Sequence, residues 1–104
     1  MGADSLAEIK VEDFAAHVGE SFEVALEENG LPVTQLTLIS AAELVQLGGR
    51  EGRIPFKLTF EGPSSVALEQ GICWFERPDF GAHGIFIVPI GAKGDTRTYE
   101  AIFS

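Results

Sequence analysis

The stretch RPDFGAHGIFIVPIGAKGDTRTYEAIF, Arg77 to Phe103, decides the fold. It holds two short apolar runs, Ile85 to Ile90 and Tyr99 to Phe103, separated by Gly91-Ala92-Lys93-Gly94-Asp95-Thr96. Runs of this length suit strands, and a glycine- and aspartate-bearing spacer supplies a reversal, so the pair reads as the last two strands of an antiparallel β domain. Tyr99, Ala101 and Phe103 form one inward set, with Glu100 and Ile102 opposite. The first run is apolar on both faces and contains Pro89, which lacks a backbone donor and so requires an edge, a bulge or a strand end. The spacer resembles a phosphate loop only superficially, because it lacks the full glycine spacing and leads into a strand instead of a helix.

Working back from Arg77, a strand through Ile72, Cys73, Trp74 and Phe75 follows Gly71 and is again apolar on both faces. Gly62-Pro63-Ser64-Ser65 forms a turn, and before it Phe56, Leu58 and Phe60 alternate with Lys57, Thr59 and Glu61. Gly48 to Arg53 is the clearest loop. Nearer the start, Phe22, Val24 and Leu26 alternate with Glu23, Ala25 and Glu27, and Asn29-Gly30 predicts a tight hairpin turn with Gly30 at positive φ. The return strand begins at Pro32 and places Leu36 and Leu38 opposite Thr37 and Ile39; its length towards Leu44 calls for a bend or bulge.

Val11, Phe14, Ala15 and Val18 recur at the spacing of one helix face, with Glu12 and Asp13 at the positive N-terminus and Gly19 as the stop. Ser5 to Glu8 matches a capping-box pattern, within a stretch, residues 1–10, that reads as a flexible tail. One short N-terminal helix and six strands with short connections predict a mainly β fold: a six-stranded antiparallel sandwich or a small, partly open barrel, as a single domain over residues 1–104. Parallel order would need crossovers of a dozen or more residues.

A chain of 104 residues with 45% hydrophobic content can build one continuous core. No apolar stretch reaches the roughly 20 residues needed to span a bilayer, and the start of the chain has no hydrophobic signal region, so a cytoplasmic protein without membrane insertion is expected. The net charge is −9, with ten acids against two bases in residues 1–52 and six against five in residues 53–104. With no cluster of Lys and Arg, nucleic-acid or anionic-membrane binding is not expected. Glu12, Asp13, Glu20, Glu23, Glu27 and Glu28 should project into solvent as a solubilising surface.

No catalytic constellation is present. The two histidines, His17 and His83, sit in no recognised motif, and a Cys73–His83 dyad is opposed by the apolar run around Cys73, which would raise its pKa. As the only cysteine, Cys73 excludes an intramolecular disulfide and a cysteine-rich zinc site. Glu76, Asp79 and His83 cluster about one turn, but their spacing matches no strong metal motif, so neither a metal nor a cofactor is expected. In Trp74-Phe75 and Ile85-Phe86 one residue of each pair must face away from the local core. A second sheet or the helix would bury it, as expected for central strands; otherwise an apolar patch results.

The segments VEDFAAHVGESFEV (residues 11–24), FKLTFEGP (56–63), GIFIVPIG (84–91) and YEAIF (99–103) resemble a small, uncharacterised bacterial family classed as a domain of unknown function, family 6916. Cys73 stands where that family's pattern leads one to expect an aromatic, which weighs further against a catalytic cysteine. The resemblance implies association with phage-tail-like or tail-fibre gene clusters. The resulting expectation is a non-enzymatic interaction or assembly accessory module with a protein partner. The alternative is a small-molecule-binding β-barrel domain or minor enzyme using a mouth lined by Trp74, Phe80, His83 and Tyr99.

Overall fold

Apolar side chains at every second position can be buried together only if the strands share one inner face, and here the strands roll into a closed barrel. The computed structural model describes residues 10–44 and 54–103. Helix α1 (Val11–Ala15) precedes β1 (Ser21–Ala25), β2 (Pro32–Glu43), β3 (Phe56–Pro63), β4 (Gly71–Arg77), β5 (Gly81–Lys93) and β6 (Thr96–Phe103). The order round the barrel is β1-β2-β3-β6-β5-β4, and every pairing is antiparallel. Among the described residues the expected six antiparallel strands and single short helix are present, and the barrel is closed, not partly open. Glu23, Val24 and Ala25 of β1 pair with Glu76, Phe75 and Trp74 of β4 to seal it.

Two bulges let the longest strands follow this curvature. In β2, Leu38 pairs with Phe60 and Ser40 with Thr59, leaving Ile39 as the extra residue. In β5, Pro89 pairs with Tyr99 and Gly91 with Thr98, leaving Ile90 extra. Both fall where strand length or proline predicted an irregularity.

The inner face carries Phe22, Val24, Leu36, Leu38, Leu58, Phe60, Phe75, Ile85, Ile87 and Tyr99, all buried. Each end of the barrel is stoppered by a different device. At one end α1 delivers Phe14, whose ring lies 5.1 Å from that of Phe80, 5.7 Å from Phe103 and 6.0 Å from Phe56. Phe56 and Phe103 stack there at 4.7 Å and 6°. At the other end, β3 and β4 stand on opposite sides of the barrel, so residues 64–70 must cross it. That crossing buries Leu68, whose N–H donates to the Tyr99 hydroxyl at 3.0 Å. The hydroxyl can therefore lie inside without the cost of an unmet hydrogen bond.

Several local expectations are corrected. The helix ends at Ala15 instead of Val18, and of its predicted face Phe14 is buried, Val11 half-buried, and Ala15 and Val18 exposed. One turn is enough to place Phe14 across the barrel end, after which Gly19, at φ +92°, redirects the chain and donates to Leu38 O at 2.7 Å. Leu26 lies beyond the end of β1 and is exposed, while Ala25 is buried on the outer face beside its partner Trp74. The positive φ of the first hairpin belongs to Asn29 (+63°), not Gly30. The connection from Ala25 to Pro32 is longer than a two-residue turn, and the Gly30 N–H donates to Glu27 O at 2.9 Å, so the left-handed residue is the third of the turn. The Gly48–Arg53 loop and the Ser5–Glu8 pattern lie outside the described residues.

Candidate functional site

Among the described residues, the four read as a pocket do not line one common mouth. Of the four residues read as a pocket, Tyr99 lies in the core and is held at the end closed by Leu68. Phe80, in the turn between β4 and β5, packs at the opposite end against Phe14 and Phe22. His83 is beside it, with ring centroids 4.6 Å apart and Nε2 3.0 Å from Phe80 O. Trp74 is on the outside of β4. The structure thus brings Phe80 and His83 together and separates both from Trp74 and Tyr99.

Cys73 points inward from β4 and is buried, and that burial pushes its thiol pKa up, which disfavours the nucleophilic thiolate. Glu76, Asp79 and His83 do not converge: Asp79 Oδ1 lies 3.4 Å from Arg77 Nε, while His83 contacts Phe80. Among the described residues no group of three or more His, Cys, Asp or Glu side chains could hold a metal ion.

Charged groups near α1 instead form a latch. Glu20 Oε1 lies 2.8 Å from His17 Nδ1 and 3.0 Å from Arg77 Nη2. Arg77 Nη1 donates to Ser21 O at 2.6 Å, and its guanidinium carbon sits 5.6 Å from the centroid of the Phe22 ring. One arginine so ties the segment after α1 to β1 and to the β4–β5 turn.

The feature left over is on the outer wall. Ile72 of β4 pairs directly with Phe86 of β5, and they are 58% and 51% exposed. The next outward pair is Trp74 and Gly84; a Cβ on Gly84 would lie 3.0 Å from Trp74 Cη2 and Cζ2 and 3.2 Å from Ile72 Cγ2, so the indole lies across the glycine. The expectation that a second sheet or the helix buries these side chains is overturned. A closed barrel is a single curved sheet with one inner face, and α1 is spent on an end of it.

Two residues along β4 from Trp74, Glu76 stands directly opposite Glu23 of β1, both exposed. Among the described residues neither takes part in an ion pair. Like charges directly opposite across strands are destabilising. A shallow depression beside them is lined by Ser21, Glu23, Gln35, Glu76, Arg77 and Pro78. The sequence signal for the apolar part was the double-faced hydrophobicity of β4 and β5; the carboxylate pair depends on register and had none.

No helix among the described residues is long and apolar enough to cross a membrane. Comparison with curated proteins yields no match, and comparison with solved structures yields none either. The model of a family described as a domain of unknown function (DUF6916) matches residues 9–103, most of the chain, and the protein belongs to that family.

Proposed function

We propose that this domain is a non-enzymatic protein-interaction module, an accessory part of a larger assembly of the phage-tail-like kind, acting in the cytoplasm. The observation that carries the reading is the contrast between a barrel stoppered at both ends by Phe14 and Leu68 and an outer wall bearing uncovered Ile72 and Phe86. Enclosed ligand sites need internal space with a few convergent polar groups. Exposed aromatic and aliphatic side chains, by contrast, are what protein interfaces bury. The phage-tail part rests on the resemblance of the FKLTFEGP, GIFIVPIG and YEAIF segments alone.

Cross-linking the intact domain in extract of its source cells, followed by mass spectrometry, tests the reading. A discrete protein partner from a tail-like or envelope assembly is expected. Absence of any such partner, together with a metabolite that saturably raises the melting temperature, would sink it in favour of a ligand-binding barrel.

A further inference from the structure

We infer that the β4–β5 outer wall is the docking surface, and that its occupant is a protein segment carrying apolar side chains next to Lys or Arg. The inference rests on the interaction-module reading and adds the place and the chemistry of the partner.

Ile72 and Phe86 supply the apolar anchors, and Trp74, flattened over Gly84, supplies a broad half-buried plate beside them. Outward residues two apart on a strand are about 6.6 Å apart. Ile72, Trp74 and Glu76 therefore present apolar, aromatic and anionic groups in a line along β4. At the anionic end Glu76 is doubled by Glu23 from the neighbouring strand, with the shallow depression alongside. The barrel's own fold gains nothing from two carboxylates placed face to face. A Lys or Arg from a partner would relieve that repulsion while its apolar neighbours cover Trp74, Ile72 and Phe86. Electrostatic complementarity of this kind selects partners and speeds encounter more than it adds affinity.

The same charges disfavour a second copy of this chain as the occupant, since each copy carries a net charge of −9 and would bring the same acidic pair to the interface. Added-strand binding is also disfavoured, because in the closed barrel each described strand has two neighbours and the β1–β4 seam leaves only the short edge Gly71–Cys73, and Arg77, of β4 without a β1 partner. The partner must read side chains on the outer wall.

A library of short random peptides selected against the immobilised intact protein tests this. Recovered sequences should combine aromatic or aliphatic residues with Lys or Arg. Synthetic versions should blue-shift the emission of Trp74, the only tryptophan of the chain. Their affinity should fall about tenfold or more, roughly 1.4 kcal/mol, for the Ile72→Ser/Phe86→Ser protein. Glu23→Gln/Glu76→Gln should remove the preference for Lys over Glu in the peptide and flatten the salt dependence. Leu31→Ser, at the 87% exposed tip of the first hairpin, should change nothing. Recovered peptides that are acidic, or that bind the Ile72→Ser/Phe86→Ser protein equally well, would overturn the assignment. So would a concentration-dependent dimer in sedimentation that Phe86→Ser abolishes, which would make a second copy the occupant. Binding lost on Leu31→Ser but kept on Ile72→Ser/Phe86→Ser would move the surface elsewhere and leave the interaction-module reading intact. A saturable metabolite with no selected peptide would remove both.

Discussion

Single residues show how little slack the barrel wall has. Gly62 on β3 has φ in the ordinary range, so its need for glycine is steric: a Cβ there would run into Leu36 Cδ2 and come within 3.2 Å of Gln35 O. Leu36 is fully buried, so shifting it would disturb the packing around it. Gly62→Ala should therefore cost about 1–3 kcal/mol in denaturant unfolding. At Asn29 the need is conformational, since a β-branched residue is poorly tolerated at φ +63°. Asn29→Val should lose about 1–2 kcal/mol, and Asn29→Gly close to none, in the same measurement. Cys73 adds a pH signature. Burial raises its thiol pKa, so the folded chain keeps a proton that the unfolded chain has already released at alkaline pH. Its contribution to stability is complete below the ordinary thiol range and is lost as pH rises through the folded value. Melting temperature should decline less steeply with alkaline pH in Cys73→Ala than in the wild type, and native Cys73 should react slowly with thiol reagents at neutral pH.

Between elements, the β1–β4 seam trades stability for charge. Three residue pairs join these strands, and one of them is Glu23 with Glu76. Glu23→Lys replaces a repulsive cross-strand pair by an attractive one and should stabilise the protein by about 0.2–1 kcal/mol at low salt, with the gain shrinking as salt screens it. The same variant should bind basic peptides more weakly. A protein more stable and less able to bind would show that the carboxylate pair is kept for something other than folding. A neutral or destabilising result would mean that the two side chains already avoid one another in solution.

For the whole molecule, closure leaves two circular openings that strands cannot cover. Phe14 covers one of them, from a helix of five residues, packing there against Phe56, Phe80 and Phe103. Phe14→Ala should cost about 3–5 kcal/mol, because it removes a large buried ring and leaves its space unfilled. The loss should appear as a lower denaturant midpoint, accompanied by binding of a hydrophobic dye at that end. Unchanged stability would show that Phe80 and Phe103 close the opening by themselves.

The sequence by itself determined the strands, most of their inward residues and the bulges at Ile39 and Ile90, though not the third irregularity, at Val33 opposite β1. Alternation at Phe56, Leu58 and Phe60 or at Tyr99, Ala101 and Phe103 is a local consequence of the two-residue repeat, and the demand of Pro89 for a bulge is local chemistry. It also determined the exposed acids, since Glu12, Asp13, Glu20, Glu23, Glu27 and Glu28 all reach solvent. Only the tertiary structure decided what lies against the second face of β4 and β5. Ile72 and Phe86 have the composition of buried strand residues, and whether a further layer covers them depends on how the sheet closes. Closure into one barrel made the inside a single core and left the other face as surface. It likewise set Glu23 against Glu76 and carried Trp74 away from Phe80, His83 and Tyr99, because register and curvature join residues distant in the chain through pairings that no local pattern encodes.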